Sequence, residues 1–331
     1  MRLKVPSAGQ TVFKDLIHGE LVFANNLLDD QILMKSDGWP TYHLANVVDD
    51  HLMKITLVLR GEEWLPSTPK HLLLYQAFGW TPPAFAHAPL LLNEDKTKLS
   101  KRHGDVAAEA YLKHGFLPEA VINFIALLGW NPGTEQEIFS LPALIKQFSL
   151  ARVQKAGAVL NLTKLDWLNA YYIRQMPVDK LVKACWPYLE KAKKHLSLGK
   201  IKQIVALERE RLKKLSEITE AAEIFYKDPQ YEAQLLIWKK SDATITRDRL
   251  ERLLSWFKDW VGEWRQKKLE AATLEMIARE KLDNGATLWP LRVALSGRSA
   301  SPGPLAMAAI LGRPKTLKRI NQALAGLKKS Q

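Results

Sequence analysis

The sequence predicts an α/β fold followed by an all-α region. Residues 41 to 93 alternate helix-like and strand-like patterns, strand signals nearly vanish after Asp105, and amphipathic segments then run to the C-terminus. In "SDGWPTYHLANVVDDHLM", turn chemistry at Asp37-Gly38 and Pro40 precedes Leu44, Val47, Val48 and Leu52 at helical spacing, which predicts a short helix. The apolar, β-branched run "KITLVLRGEEW" reads as a buried strand ended by Gly61. In "PSTPKHLLLYQAFGW", Ser67 or Thr68 is the cap, Pro69 fits the first turn and Gly79 follows the last apolar residue, so a helix comes next. "HAPLLLN" reads as a second strand, completing one crossover unit.

Beyond Asp105, "GDVAAEAYLKHG" offers Asp105 as N-cap and Gly115 as stop, and "LPEAVINFIALLGW" has Pro118 near its start and Gly129 near its end. Further amphipathic segments are "LTKLDWLNAYYIRQM", "VDKLVKACWPYLEKAKKHL", "KIKQIVALERERLKKLSEI", "RDRLERLLSWFKDWVGEW" and "PLAMAAILG". Trp256, Trp260 and Trp264 recur at i, i+4, i+8, which predicts one helix face; core packing is favoured for it over a base-stacking platform.

Composition narrows the function classes. The 331 residues are 47% hydrophobic, enough to build cores, and no apolar run reaches the roughly 20 residues of a membrane helix. The first residues lack the apolar stretch of a signal peptide, so a cytoplasmic location is expected. Cys185 is the only cysteine, which rules out an intrachain disulfide and a cysteine-based zinc cluster, and no histidine pair has metal-ligand spacing; no structural zinc is expected. Lysine plus arginine total 48 against 35 acidic residues, a net charge of +13 that suits a polyanionic partner.

The loop "NEDKTKLSKRHGD" gathers three lysines and an arginine around Ser100. Ligands of open α/β sheets sit beyond the carboxyl ends of strands, where both "RGEEW" and "KLSKR" are expected. Lys98 and Lys101, three residues apart, suit a triphosphate, because a flexible stem with a point charge follows phosphate oxygens as pyrophosphate leaves.

Here the residues carry a resemblance. "KLSKR" is similar to the lysine-rich signature of class I aminoacyl-tRNA synthetases, and "DGWPTYHLANVVDDHLM", "LVLRGEEWLPSTPKHLLLYQAFGW", "FLPEAVINFIALLGW", "KLDWLNAYYIR" and "LWPLRVALSG" in that order resemble bacterial glutamyl-tRNA synthetase over almost the whole chain. The resemblance implies the second half of a class I Rossmann-type catalytic domain over 37–104, after a remnant of the acceptor-stem-binding insertion over 1–36. A helical stem-contact domain over 105–175 and a helical anticodon-binding domain over 176–331 follow.

It also implies site residues. Tyr42, Asn46 and Arg60 match positions that hold glutamate, Glu63 and Trp64 positions near the adenosine, and Lys98, Lys101 and Arg102 positions that serve ATP, Lys98 and Lys101 being the catalytic pair. Read without the resemblance, Tyr42 is a helix-end packing residue, Arg60 a salt-bridge partner and Trp64 core. In "LWPLRVALSGRSASPGP", Arg292 matches an anticodon-reading arginine, and Ser301 and Pro304 fall near the anticodon bases; Arg211 is a further partner, with Arg209 as the alternative alignment. Pairing of Arg292 with a carboxylate inside the bundle is the plainer alternative. The implied partners are tRNA(Glu), L-glutamate and ATP with Mg²⁺, in an enzyme that is usually monomeric.

One departure matters. The family's His-x-Gly-His signature is missing: "LIHGEL" contains His18-Gly19 without the required spacing, and "VPSAGQ" is only superficially similar to the segment before it. The expectation is an N-terminally truncated glutamate–tRNA ligase that barely activates glutamate alone. The alternatives are a catalytically silent tRNA-binding fragment or one half of a split synthetase that associates with a missing N-terminal half. A glutamyl-queuosine type of paralogue is disfavoured by the long helical region after Asp105.

Overall fold

The computed structural model describes residues 1–99, 108–239 and 241–329. The chain divides into two compact units, Met1–Lys113 with Leu117–Leu168, and His114–Phe116 with Asn169–Gln331. No helix among the described residues is long and apolar enough to cross a membrane.

The first unit opens with an antiparallel hairpin, β1 (Gln10–Asp15) and β2 (Gly19–Ala24), which the sequence reading left out. Its turn is closed by Asp15, whose Oδ1 accepts the backbone N–H groups of Ile17 and His18 at 2.9 Å each. Helix α1 (Tyr42–Leu52) follows, then β3 (Leu57–Gly61), a 3₁₀ turn (Glu62–Ser67) and α2 (Thr68–Phe78), which has Pro69 in its first turn and Gly79 as its stop. Strand β4 (Ala84–Ala88) lies parallel to β3, and the sheet order is β2-β1-β4-β3, with Asp15 of β1 opposite Phe85. Leu33, Val47, Leu74 and Tyr75 form a core, with Leu3, Leu44 and Trp80 packed against it.

"HAPLLLN" is not one strand. The strand begins upstream at Ala84 and stops before Pro89, which has no N–H to give the ladder; β5 (Leu91–Leu92) resumes beyond it in a separate two-stranded sheet with β6 (Ala158–Val159). The basic loop therefore leaves that small sheet, not the main one. Between β5 and β6 lie α3 (Ala108–Lys113), α4 (Pro118–Gly129) and α5 (Leu141–Gln147). Buried Asn123 of α4 donates to Glu137 O at 2.9 Å and accepts from Phe139 N at 2.7 Å, beside a core of Trp130, Phe139 and Leu144. Helix α6 (Leu162–Gln175) follows β6.

The second unit is helical among its described residues: α7 (Val178–Cys185), α8 (Glu190–Lys193), α9 (Leu198–Glu208), α10 (Ile218–Glu223), α11 (Ala243–Asp259), α12 (Gln266–Arg279), α13 (Asn284–Ser296), α14 (Pro304–Leu311) and α15 (Arg313–Lys329). Two expected single segments are broken. Between α7 and α8, Pro187 sits in a 3₁₀ turn, and α9 stops at Glu208, with a second short helix only from Ile218. Trp256, Trp260 and Trp264 do not share a helix face: α11 ends at Asp259, and Trp264 lies beyond it, its indole donating to Ala308 O at 2.8 Å and packing on Phe257.

Buried Arg319 of α15 donates to the carbonyls of Leu295 and, at 2.6 Å, Lys227. Cys185 is fully buried, and burial pushes its thiol up to about 12. Gly115 has a φ of +91°, and its carbonyl accepts from Leu215 N at 2.9 Å. A Cβ there would meet Ser216 N at 2.6 Å and Leu215 N at 2.9 Å, both backbone atoms that cannot yield. Gly115→Ala is expected to destabilise the protein by about 1–3 kcal/mol or more, read as a lower urea midpoint with the secondary-structure content retained.

Candidate amino-acid and anticodon sites

The parallel register of β3 and β4 sets Arg60 beside His87, each one residue from its strand's carboxyl end. Arg60 donates from Nε to His87 Nε2 at 3.1 Å and from Nη2 to the Thr68 hydroxyl at 2.9 Å, while Nη1 lies 3.5 Å from His71 Nδ1. Its guanidinium also sits 5.6 Å from the Trp64 ring centroid and 5.8 Å from that of Phe85. No carboxylate among the described residues lies within ion-pair distance of it. Burial lowers its pKa, and nearby Tyr42 and Asp50 oppose that.

Two further histidines extend the cluster. His71 Nε2 lies 2.9 Å from His43 Nδ1, and His87 Nδ1 lies 2.6 Å from Asp15 Oδ2. Burial, then the Arg60 charge, pushes His71 down to about 3; His43 and His87 are also lowered, with burial the largest cause in each. Asp15 is pushed up by burial, but the backbone bonds from His18, Ile17 and His87 and the His87 ring outweigh this and leave it below the ordinary carboxylate range.

Of the residues singled out from sequence, Tyr42 and Trp64 are the ones that lie against this cation. Tyr42, at the start of α1 and 51% exposed, packs on Trp64 with ring centroids 4.8 Å apart. Asn46 lies one helical turn on, its Oδ1 buried and unpartnered. Glu63 is exposed, its carboxylate folded back over Gly61. Lys98 is exposed in the turn after β5, bridged through its backbone to Leu92; among the described residues no hydrogen bond, ion pair or ring contact joins it to Arg60. Lys101 and Arg102 lie outside the described residues. Sequence reasoning missed Asp15, His71 and His87; the only signal was that each is a polar residue within an otherwise apolar or β-patterned run.

In the second unit, Arg211 and Ser301 line one cavity of about 270 Å³ together with Glu208, Glu220 and Arg298. Arg211 pairs with Glu208 at 3.4 Å, and burial raises the Glu208 pKa while Arg211 and Arg298 oppose it. Arg298, another residue the sequence reading passed over, reaches Glu220 at 3.2 Å. Arg292 pairs with no carboxylate among the described residues; it donates to Ser301 O at 2.8 Å. Ser301 is 3% exposed and Pro304 starts α14, also buried.

A family profile described as tRNA synthetases class I (E and Q), catalytic domain, matches residues 1–167, and an anticodon binding domain matches residues 180–324. A glutamate–tRNA ligase of Chlorobium phaeobacteroides is 42% identical over 98% of this chain and 66% of its own length; one from Clostridium kluyveri is 40% identical over 99% and 67%. A crystal structure of a glutamate tRNA ligase from Elizabethkingia meningosepticum, in complex with its amino acid, aligns with a TM-score of 0.84 at 33% identity, covering 98% of this chain and 68% of that one. The chain thus spans about two thirds of the length of the curated relatives it matches.

The histidine cluster gives the protein an acid-sensitive stability. His71 has a folded pKa of about 3 against an ordinary 6.5, so between those values the unfolded chain binds a proton that the folded chain refuses. Stability therefore falls as pH drops through that window, with a slope approaching about 1.4 kcal/mol per pH unit for one such group. Urea midpoints measured from pH 7 to 4.5 should fall, and His71→Gln should flatten that fall.

Proposed function

This chain belongs to the class I tRNA synthetases of the E and Q type, and from that premise we propose that it serves glutamate–tRNA ligation. In that reaction glutamate and ATP-Mg²⁺ form glutamyl adenylate and pyrophosphate, and the tRNA terminal ribose then captures the glutamyl group. The observation that carries the reading is Arg60: a part-buried cation, held by neutral acceptors and, among the described residues, without a carboxylate in ion-pair distance, beside a phenol and an indole at the carboxyl ends of two parallel strands. A free carboxylate would meet there the charge that the fold leaves uncompensated.

In this reading Arg60 takes a glutamate carboxylate, Tyr42 supplies a phenol to its polar groups, and the unpartnered Oδ1 of Asn46 adds a third contact. Glu63 and Trp64 lie near the adenosine, while Lys98, Lys101 and Arg102 neutralise the phosphates. Residues 37–104 form the catalytic half-domain after the 1–36 insertion remnant, 105–175 the stem-contact domain and 176–331 the anticodon domain. There the cavity of Arg211, Arg298 and Ser301 accepts a splayed base, and Arg292 holds the rim of its loop. A cytoplasmic location suits this reaction.

Glutamate-dependent exchange of pyrophosphate into ATP, assayed with this chain alone and with the third of a relative's sequence that it does not match added, tests the reading. Exchange should be strong only in the second case; its absence from both would sink the adenylation reading. In the active mixture, Arg60→Ala should raise the KM for glutamate by on the order of 100-fold with little change in that for ATP, since a buried carboxylate loses its partner. Arg292→Ala should narrow the affinity gap between tRNA(Glu) and the same tRNA with an altered anticodon, measured at several salt concentrations. Equal affinity of the unsubstituted protein for both would reject anticodon reading.

A further inference from the structure

Arg60 cannot offer a lone pair, so each atom that receives its N–H groups must be an acceptor. The ring of His87 is fully buried and faces Arg60 with Nε2 and Asp15 with Nδ1. A neutral imidazole has one N–H, and which nitrogen bears it is set by the groups on either side. The Asp15 carboxylate is charged and 1% exposed, and its Oδ1 is already committed to backbone donors; its Oδ2, 2.6 Å from Nδ1, can only accept. The proton must then sit on Nδ1, leaving the Nε2 lone pair aimed at Arg60 Nε–H.

We infer that Asp15 and His87 are positioning residues for Arg60: the carboxylate selects the His87 tautomer, and the selected tautomer fixes the guanidinium in the amino-acid site. This rests on the reading of Arg60 as the glutamate ligand. Sheet order makes the relay possible. β1 and β3 flank β4 on its two sides, so Asp15 and Arg60 reach the two nitrogens of one ring across neighbouring strands. Thr68 completes the cradle: its hydroxyl accepts from Arg60 Nη2, and its own proton faces two acceptors at 3.2 Å each, Trp64 O and His87 Nε2. With Nε and Nη2 both committed, the guanidinium is held in one plane.

The isosteric change Asp15→Asn gives a sharp test. The amide oxygen keeps the backbone donors of Ile17 and His18, which turns the amide N–H₂ toward His87 Nδ1. That nitrogen must then accept, the ring proton moves to Nε2, and Arg60 Nε–H loses its acceptor and meets a donor; the Thr68 hydroxyl oxygen, 3.2 Å from Nε2, is left to take the ring proton while still receiving Arg60 Nη2. The expected results are a switch of His87 from the Nδ1–H to the Nε2–H form in two-bond ¹H–¹⁵N spectra and a loss of L-glutamate affinity on the order of 10- to 100-fold by calorimetry. Adding His87→Gln, whose amide oxygen accepts from Arg60 without a tautomer to choose, should recover most of that affinity; a loss through general destabilisation would deepen instead. An unchanged His87 tautomer in Asp15→Asn, or a switched tautomer with unchanged affinity, overturns the inference. If the unsubstituted protein binds no L-glutamate, the amino-acid reading of Arg60 falls, while the tautomer and the Arg60 Nε–H resonance still decide the positioning.

Discussion

A guanidinium that only donates, set among groups that must therefore accept, is the constraint around which the first unit is organised. Arg60 sits where burial penalises charge, so its neighbours have to supply lone pairs without adding charge of their own. Neutral histidines and a threonine hydroxyl meet that requirement; burial first, and the Arg60 charge after it, lowers the basicity of His43, His71 and His87. The negative charge of Asp15 is kept a ring's width away, behind His87. Residues 15, 60 and 87 are distant in sequence, and it is the strand order that makes them neighbours.

The second unit uses arginine differently. Arg319 meets the carbonyl of Leu295, one of the orphan acceptors in the last turn of α13, where the helix dipole favours a cation. Its other bond, to Lys227 O, ties that helix end to the segment following α10. Arg292 fastens Ser301 on the far side of the same loop. The stretch between α13 and α14 is thus held at both ends by side chains from within the bundle, so Arg298, which faces the cavity from it, stands on a fixed rim.

Legibility followed local chemistry. The helix after β3 could be read because Pro69 and Gly79 punctuate it, and Arg60 could be placed because Gly61 ends an apolar run. The hairpin could not be read, since one of its two inward-facing positions in β1 is Asp15, and a buried charge breaks the apolar alternation that marks a strand. His87 hides β4 in the same way, and Pro89 splits what the apolar letters present as continuous. The three tryptophans misled for the opposite reason: their spacing has helical period, but it continues past Asp259, where α11 ends, and the Trp264 indole bonds to Ala308 O instead. Contacts made only by folding, such as Arg211 with Ser301 across one cavity, leave no trace in spacing at all.

The buried Cys185 has a practical side. As the sole cysteine, with no exposed surface and a thiol held at about 12, it presents almost no thiolate to a maleimide or iodoacetamide at neutral pH. A cysteine introduced anywhere on the surface would therefore be the one that reacts, and the native chain already serves as the unlabelled background for attaching fluorophores or spin probes in pairs, without first removing a residue from the core.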